Sequence, residues 1–217
     1  MRSVLKKLFR YLALEHNRCR GLWIRFCRPM GEEYAQYVKR YGGLYAMGEK
    51  CAISNAARIT DPAYVRLGNN VRLSHCTLLG HDGSINMLRV AYGVRVDRVG
   101  KIDIRDNVFV GMDAIVMPNV TIGPNAIVAA GSLVTRDVAE GDIVGGVPAK
   151  PIGRVQDLVR KLDAETDQLP WGHLIRQREG SFDPATEPEM VRLRVKHFYG
   201  TDGTTGAATS SAVLKSQ

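Results

Sequence analysis

The chain has 217 residues and a formal net charge of +8 at pH 7, with 30 Lys and Arg against 22 Asp and Glu. With 45% hydrophobic and 24% charged residues, the composition is that of a globular protein and excludes a disordered or collagen-like chain. The length allows one domain with appendages, or at most two small domains. There is no apolar run of about 18 residues, so no transmembrane helix is predicted.

The excess positive charge is concentrated at the N-terminus. Residues 1–28 contain eight Lys and Arg and one Glu, a net charge of +7. A body that binds nucleic acid usually spreads its basic residues over the binding face, so no nucleic-acid partner is predicted. In residues 3–14, apolar side chains recur at helical spacing with basic residues between them. We expect this helix to pack on the protein or on a neighbouring subunit; contact of residues 1–28 with an anionic membrane is the alternative.

Cysteine usage and the first residues indicate the compartment. The four cysteines show no CxxC spacing, so neither a disulfide framework nor a zinc ribbon is predicted and a reducing compartment is expected. Lys6, Lys7 and Arg10 interrupt what would be the apolar core of a signal peptide. The prediction is a cytoplasmic protein, with peripheral location at the inner membrane as a variant.

A period of six residues dominates the middle of the chain. From residue 104, an aliphatic residue recurs every six positions, and a small or branched residue follows it four positions later. The aliphatic positions are Ile104, Val110, Val116, Ile122, Val128 and Val134, and the second positions are Val108, Ala114, Val120, Ala126, Ser132 and Val138. Two inward residues followed by a Gly- or Asn-containing turn wind a coil of short strands, in which three units close a turn of about 18 residues.

The same unit occurs earlier in the chain, with a slip in phase. The earlier units begin at Ile53, Ile59, Leu67, Leu73 and Leu79, with second positions at Ala57, Ala63, Val71 and Thr77. The phase slips by two residues before Leu67, and the pattern stops after Leu79 until it restarts near residue 104. A long insertion in a regular coil is usually functional.

The flanking segments differ from the repeat. Residues 31–41, 154–169 and 183–198 are predicted to contain helices, and the Gly/Ser/Thr-rich end is predicted to be flexible. The predicted organisation is a basic helical region (1–52), a coil (53–152) with a protruding loop at about 80–101, a C-terminal helical region (153–199) and a flexible tail (200–217).

The repeat resembles the hexapeptide-repeat acyltransferases. The match covers about residues 53–154, and its most specific stretch is VGMDAIVMPNVTIGPNAIVAAGSLVTRDV followed by GGVPAKPIGR. These residues are similar to the sugar O-acetyltransferase and serine/galactoside acetyltransferase branch. The resemblance implies a mainly β fold, a left-handed parallel β-helix with N- and C-terminal helical extensions. It also implies acetyl-CoA as acyl donor without a metal, and homotrimers with active sites between subunits.

Histidine at the loop corner is the candidate catalytic group. His81 opens the insertion, in a place comparable to that of the family's catalytic histidine, and would deprotonate an acceptor hydroxyl or amine that attacks the acetyl thioester. The alternative role is to anchor the loop. His75, six residues earlier, is the second candidate base or an acceptor contact. Asp82 would orient His81 or cap its own turn, and Asn86 in the loop would bond a sugar hydroxyl.

Eight further positions match the family's acetyl-CoA site. Gly111, Met112, Ala130 and Gly131 match its pantetheine slot, and Thr135, Arg136, Lys150 and Arg154 lie near its phosphate positions. Small residues admit the pantetheine arm, and basic side chains attract phosphates. Alternatively, the small residues merely fit the coil and the arginine is a solvated charge. The family also implies an oxyanion contact from backbone N–H groups near Gly111, whereas Met112 departs from the small residue common there.

These features predict O-acetylation of a sugar in a bacterial surface polysaccharide or its precursor. N-acetylation of an amino sugar and a non-catalytic β-helix scaffold are the alternatives. A γ-type carbonic anhydrase needs three histidines around zinc, and residues 53–154 contain only His75 and His81, so no metal site is predicted. A nucleotidyltransferase is disfavoured because no phosphate-binding loop precedes the repeat.

Overall fold

The computed structural model describes residues 2–180 and 182–200. It contains two compact units, the first ending at Val155 and the second beginning at Gln156. The predicted flexible tail lies outside the described residues from position 201 onward. None of the helices in the described part of the chain has the length and apolar character needed to cross a bilayer.

The first unit combines three N-terminal helices with a coil of short strands. Its helices are α1 (Arg2–His16), α2 (Arg20–Cys27), α3 (Gly31–Tyr41) and α4 (Ser84–Tyr92), with a 3-10 turn at Pro62–Tyr64. Its strands are β1 (Ala46–Met47), β2 (Ala52–Ile53), β3 (Arg58–Ile59), β4 (Val65–Leu67), β5 (Arg72–Leu73), β6 (Thr77–Leu78), β7 (Ile102–Ile104), β8 (Phe109–Val110), β9 (Ile115–Val116), β10 (Val120–Ile122), β11 (Ile127–Val128), β12 (Leu133–Val134), β13 (Asp142–Gly145) and β14 (Lys150–Arg154).

From β1 to β12, successive strands belong in turn to three different sheets, so the chain winds around a three-sided core. The sheet orders are β1-β4-β7-β10, β14-β13-β11-β8-β5-β2 and β12-β9-β6-β3, and all neighbours except β13 and β14 are parallel. Phe109 pairs with Ile127 and Ile115 with Leu133, which is a repeat of 18 residues per turn. This spacing confirms the turn length predicted from the six-residue period.

The core of the coil is formed by the two positions of each six-residue unit that were predicted to face inward. All twelve aliphatic and small positions between Ile104 and Val138 are buried, and Ala114 and Ala126 are fully so. The corners turn on left-handed residues: Asn107 and Asn125 have φ of 57° and 55°, a region that asparagine tolerates better than most residues. The Asn107 side-chain amide donates to Oδ1 of Asn125 at 2.9 Å, which ties adjacent corners together.

The early phase of the repeat differs from the prediction at two places. Leu78 and Cys76 are buried where the pattern indicated Leu79 and Thr77, because the unit after Leu73 is one residue short. Ala63 is exposed within the 3-10 turn rather than directed into the core. This turn lengthens the first circuit, so that Ala52 pairs with Arg72, 20 residues away.

The N-terminal helices close the start of the coil. Ala13 of α1 and Trp23 of α2 are fully buried and belong to one hydrophobic cluster with the coil residues. Tyr34 stacks on Trp23 with ring centroids 6.1 Å apart. Helices α1 and α3 occupy segments predicted to be helical, whereas α2 was not predicted.

The second unit is helical. It contains most of α5 (Val155–Thr166) together with α6 (Gly172–Gln177) and α7 (Glu187–Tyr199). Met190 is fully buried, and Trp171 is nearly so, with Arg194 lying 5.7 Å from the centroid of its ring. Helix α6 was not predicted, since its six residues give too short a pattern to identify.

Candidate active site

An aspartate and a histidine meet at one corner of the coil. Asp61 follows β3 and His81 follows β6, and these strands pair in parallel, so both residues leave the sheet at the same end. Oδ2 of Asp61 lies 2.7 Å from Nδ1 of His81. The histidine side chain remains 46% exposed and the aspartate 21% exposed. The pair is therefore held together at the surface, with imidazole open to a ligand.

Thr60 and Gly80 fix the aspartate. The Thr60 hydroxyl donates to Oδ2 of Asp61 at 2.5 Å and accepts the Gly80 N–H at 3.0 Å. The Thr60 bond, followed by that of His81, lowers the pKa of the Asp61 carboxyl from its ordinary value. A Cβ on Gly80 would lie 2.6 Å from Cβ of Asp61, so only glycine allows this approach.

The protruding loop begins and ends beside this pair. Gly100 N–H donates to the Gly80 carbonyl at 2.9 Å, and Asp82 N–H donates to the Arg98 carbonyl at 3.0 Å. His81 and Val99 form an antiparallel bridge between these two bonds. The imidazole is thus at the closed base of the loop, and helix α4 lies between the two ends, which the sequence pattern did not indicate.

Asp82 contacts the loop. Its Oδ1 accepts the Ser84 N–H at 3.0 Å, and its Oδ2 lies 3.3 Å from Nη1 of Arg98. The Ser84 bond lowers the pKa of the Asp82 carboxyl. These contacts start α4 and hold the loop base, as the capping alternative required. Within the described residues, the carboxylate hydrogen-bonded to His81 is that of Asp61.

His75 lies at a different corner. It follows β5, whereas His81 follows β6, and its Nδ1 is 3.6 Å from Oδ1 of Asp113. Both side chains of this pair are more than half exposed. No group of three or more metal-binding side chains occurs among residues 2–180 and 182–200.

The predicted pantetheine residues share the corner of His75. Gly111 and Met112 follow β8, and Ala130 and Gly131 follow β11 in the next turn. A Cβ on Gly111 would lie 2.6 Å from the Ala130 nitrogen, whereas one on Gly131 would meet nothing within 4 Å. Gly111 therefore allows adjacent turns to approach, and Gly131 leaves open space at the surface. Gly111 N–H donates to the Val128 carbonyl at 2.9 Å, so it is already used and does not supply the expected oxyanion contact.

The predicted phosphate contacts lie apart from one another. Thr135 and Arg136 follow β12, on the same corner as His81 and two strands further along the sheet, which is about 10 Å. Arg136 is exposed and makes no ion pair with any residue in the described ranges. Lys150 is exposed in β14. Arg154 pairs with Asp142 across the β13–β14 turn, so its charge is already matched.

Asn86 lies in α4 with its side chain exposed, and its backbone N–H donates to the Gly83 carbonyl at 3.2 Å. Several apolar residues of the same loop are also exposed, among them Met87 and Val90. Nothing in the described chain covers this side of the loop.

Comparison with known proteins identifies the family. The profile described as bacterial transferase hexapeptide (six repeats) matches residues 101–136. Protein CapG of Staphylococcus aureus is 36% identical over 125 residues, covering 56% of this chain and 72% of that protein. The chain belongs to the hexapeptide-repeat transferases.

Other relatives of this hexapeptide-repeat protein carry acetyltransferase names. One from Schizosaccharomyces pombe is 34% identical over 130 residues, which is 59% of this chain and 58% of the length of that protein. Among solved structures, the chain aligns with the polySia-specific acetyltransferase NeuO at 24% identity, over 50% of this chain and 51% of that chain, with a TM-score of 0.42.

Asp61 and Thr60 are the site residues that sequence reasoning missed. The slip of two residues in the early repeat was the available signal, because it shows that the early circuits are longer than 18 residues. Arg58 pairs with Thr77, 19 positions away, so Asp61 lies level with Gly80 and next to His81.

Proposed function

We propose that this protein is an acetyl-CoA-dependent acetyltransferase with His81 as its general base, built on a coil of left-handed sense. The observation that carries the proposal is the hydrogen bond between Asp61 and His81 at the base of the loop. Membership of the hexapeptide-repeat transferases and the acetyltransferase names of relatives support it.

The hydrogen bond to Asp61 favours one tautomer of the His81 imidazole. Since the pKa of Asp61 is lowered, its carboxylate is ionised near neutral pH. It then accepts a hydrogen bond from Nδ1–H of His81. The other nitrogen, Nε2, then has a free lone pair. Acetyl-CoA supplies the acyl group as a thioester. Nε2 takes the proton of the acceptor hydroxyl while the hydroxyl oxygen forms a bond to the acyl carbon. When the carbon–sulfur bond breaks, Nε2 returns a proton to the CoA sulfur.

The small residues at the other corner fit the thioester arm. Ala130 and Gly131 are exposed, and the open space at Gly131 accommodates a narrow chain. The unpaired guanidinium of Arg136 fits a phosphate. Because His81 and the residues proposed to hold the thioester arm occupy different corners of one chain, the proposal includes a homotrimer. In it, one subunit supplies the base and the next subunit supplies the contacts to the arm.

The proposed acceptor is a sugar hydroxyl of a surface polysaccharide or its precursor, in the cytoplasm, and rests on the family resemblance. An amino sugar is the second candidate. It rests on the same resemblance. In both cases His81 removes a proton from the attacking atom.

One screen tests the proposal. Purified protein is incubated with acetyl-CoA and a panel of nucleotide sugars, amino sugars and oligosaccharides, and free thiol release is followed. Acceptor-dependent thiol release supports the proposal, and mass spectrometry of the product separates O- from N-acetylation. If acetyl-CoA does not bind, as measured by calorimetry, the scaffold alternative is correct.

A further inference from the structure

The N-terminal helices expose an apolar surface that the coil does not cover. Its members are Val4, Leu5, Leu8 and Tyr11 of α1 and Leu22 and Phe26 of α2, all between 43% and 69% exposed. We call these six residues the N-terminal patch. The opposite side of the same helices is anchored, because Ala13 and Trp23 are fully buried in the core. The patch is therefore presented on a fixed support.

The two helices contribute to one continuous surface. Val4 and Leu8 are four residues apart on α1, as are Leu22 and Phe26 on α2, so each pair lies on one helical face. The rings of Phe9 and Phe26 stack with centroids 5.9 Å apart, and Phe9 is one turn from Leu5. This contact joins the two apolar rows.

The same helices and the segments next to them carry unmatched positive charge. Lys6, Lys7, Arg18, Arg25 and Arg28 are exposed and make no ion pair with any residue in the described ranges. Arg10 differs, because it pairs with Glu33 at 2.7 Å. Residues 1–28 have a net charge of +7, so the surface is both apolar and strongly basic.

We propose that the N-terminal patch lies on the surface of an anionic lipid bilayer, with apolar side chains among the acyl chains and the cations against the headgroup phosphates. This proposal goes beyond the acetyltransferase function and does not depend on it. Burial of apolar side chains together with attraction of several cations is the combination that binds interfacial helices.

The two rival occupants fit the surface less well. A second copy meeting the same patch by two-fold symmetry would bring two surfaces of net charge +7 together, which is repulsive. A nucleic acid would satisfy the cations but would leave Val4, Leu8 and Phe26 without apolar partners. An anionic bilayer satisfies both components. Contact of the patch with a different surface of a neighbouring subunit, the expectation from the sequence, is the outcome that light scattering of V4S/L8S tests below.

Vesicle sedimentation of the full chain tests the proposal. The vesicles contain either phosphatidylcholine alone or equal parts of phosphatidylcholine and phosphatidylglycerol. We expect sedimentation with the second kind only. This binding should be lost at roughly 1 M salt, where the screening length falls to about 3 Å.

The double variant K6Q/K7Q should lower the partition coefficient roughly 30-fold, because each cation contributes about fivefold. The variant V4S/L8S should also lower the partition coefficient, because it removes apolar side chains that would enter the bilayer. Residues 4, 6, 7 and 8 are all exposed, so both double variants should fold normally.

A matched control removes the same charge elsewhere. R58Q/R72Q takes two exposed arginines from the outer faces of β3 and β5 and should retain binding. Equal losses in both charge variants would overturn the proposal, since attraction would then come from overall charge. It would also be overturned by absence of sedimentation with phosphatidylglycerol vesicles. Two further results would exclude the bilayer. One is that V4S/L8S forms a smaller assembly than the unmodified protein in light scattering without lipid. The other is that the unmodified protein binds duplex DNA more tightly than it binds vesicles.

Discussion

Nδ1 of His81 lies 2.7 Å from Oδ2 of Asp61, although the two residues are 20 positions apart in the sequence. The contact exists because β3 and β6 are adjacent parallel strands, and each residue comes just after its strand. Loop residues on both sides of His81 are hydrogen-bonded, so its imidazole has a defined position and an exposed edge. The predictions below start from this pair.

Removal of the Asp61 charge should impair the base without affecting donor binding. In D61N the amide no longer enforces a proton on Nδ1, so Nε2 is not held as the proton acceptor. We expect kcat to fall roughly 10²–10⁴-fold, with the affinity for CoA unchanged, as measured by steady-state kinetics and calorimetry.

The corner of His75 provides the matched control for this variant. D113N removes the carboxylate that lies 3.6 Å from His75, and its turnover should remain close to that of the unmodified protein. Comparable losses in D61N and D113N would show that neither aspartate is specific to the base.

Loss of the Thr60 hydroxyl should shift the pH profile. The Thr60 bond is the largest cause of the lowered pKa of Asp61, so T60V should raise that pKa. The Asp61 carboxylate is then protonated at higher pH, and once neutral it no longer favours the Nδ1–H form of His81. The acid limb of kcat/KM should therefore move to higher pH.

Thr60→Ser restores the hydroxyl and should restore the profile. An acid limb that does not move in T60V, in a protein that still binds CoA, would contradict a positioning role for Thr60.

The coil interior should reject larger side chains. Ala126 is fully buried, and A126L should reduce the free energy of unfolding by about 1–3 kcal/mol through overpacking. Ala139→Leu is the control, because Ala139 is exposed and its substitution should have little effect. Urea unfolding measures both, and equal stability of the two variants would be inconsistent with a packed interior.

Arg136 should contribute to the affinity for CoA through charge. R136A should weaken CoA binding, and the difference from the unmodified protein should shrink at high salt because screening reduces the same attraction. Calorimetric titration at low and high salt measures the effect. The control R72A removes an exposed arginine from β5 and should bind CoA normally; an equal loss there would remove Arg136 from the site.

The regular part of the fold was predictable because each turn repeats one simple requirement. Ile104 and Val108 mark the same two inward directions as Ile122 and Ala126, so the spacing alone gives the coil and its 18-residue turn. The first circuit was harder to predict, since the 3-10 turn at Pro62–Tyr64 and the short unit ending at Leu78 each change the phase locally. Short helices such as α2 and α4 have too few residues for a reliable period.

The candidate site could be predicted only in part. The place of His81 at the loop base makes it the candidate base, and the family resemblance supplies the proposed positions near Gly111 and Arg136. The hydrogen-bond partner of His81 was harder to predict. Asp82 is its neighbour in the sequence, whereas the carboxylate that contacts it in the structure is that of Asp61. A one-residue error in register changes whether a side chain faces the interior or the outside of the coil.

Acetyl transfer by H81A is the measurement that tests the central claim most directly. With the best acceptor from the thiol-release screen, we predict that kcat falls roughly 10²–10⁴-fold, while calorimetry shows unchanged affinity for CoA. H75A removes a histidine that lies beside the proposed pantetheine residues and not beside Asp61, so its kcat should fall far less than that of H81A. Near-normal kcat for H81A would contradict the assignment of His81 as the general base.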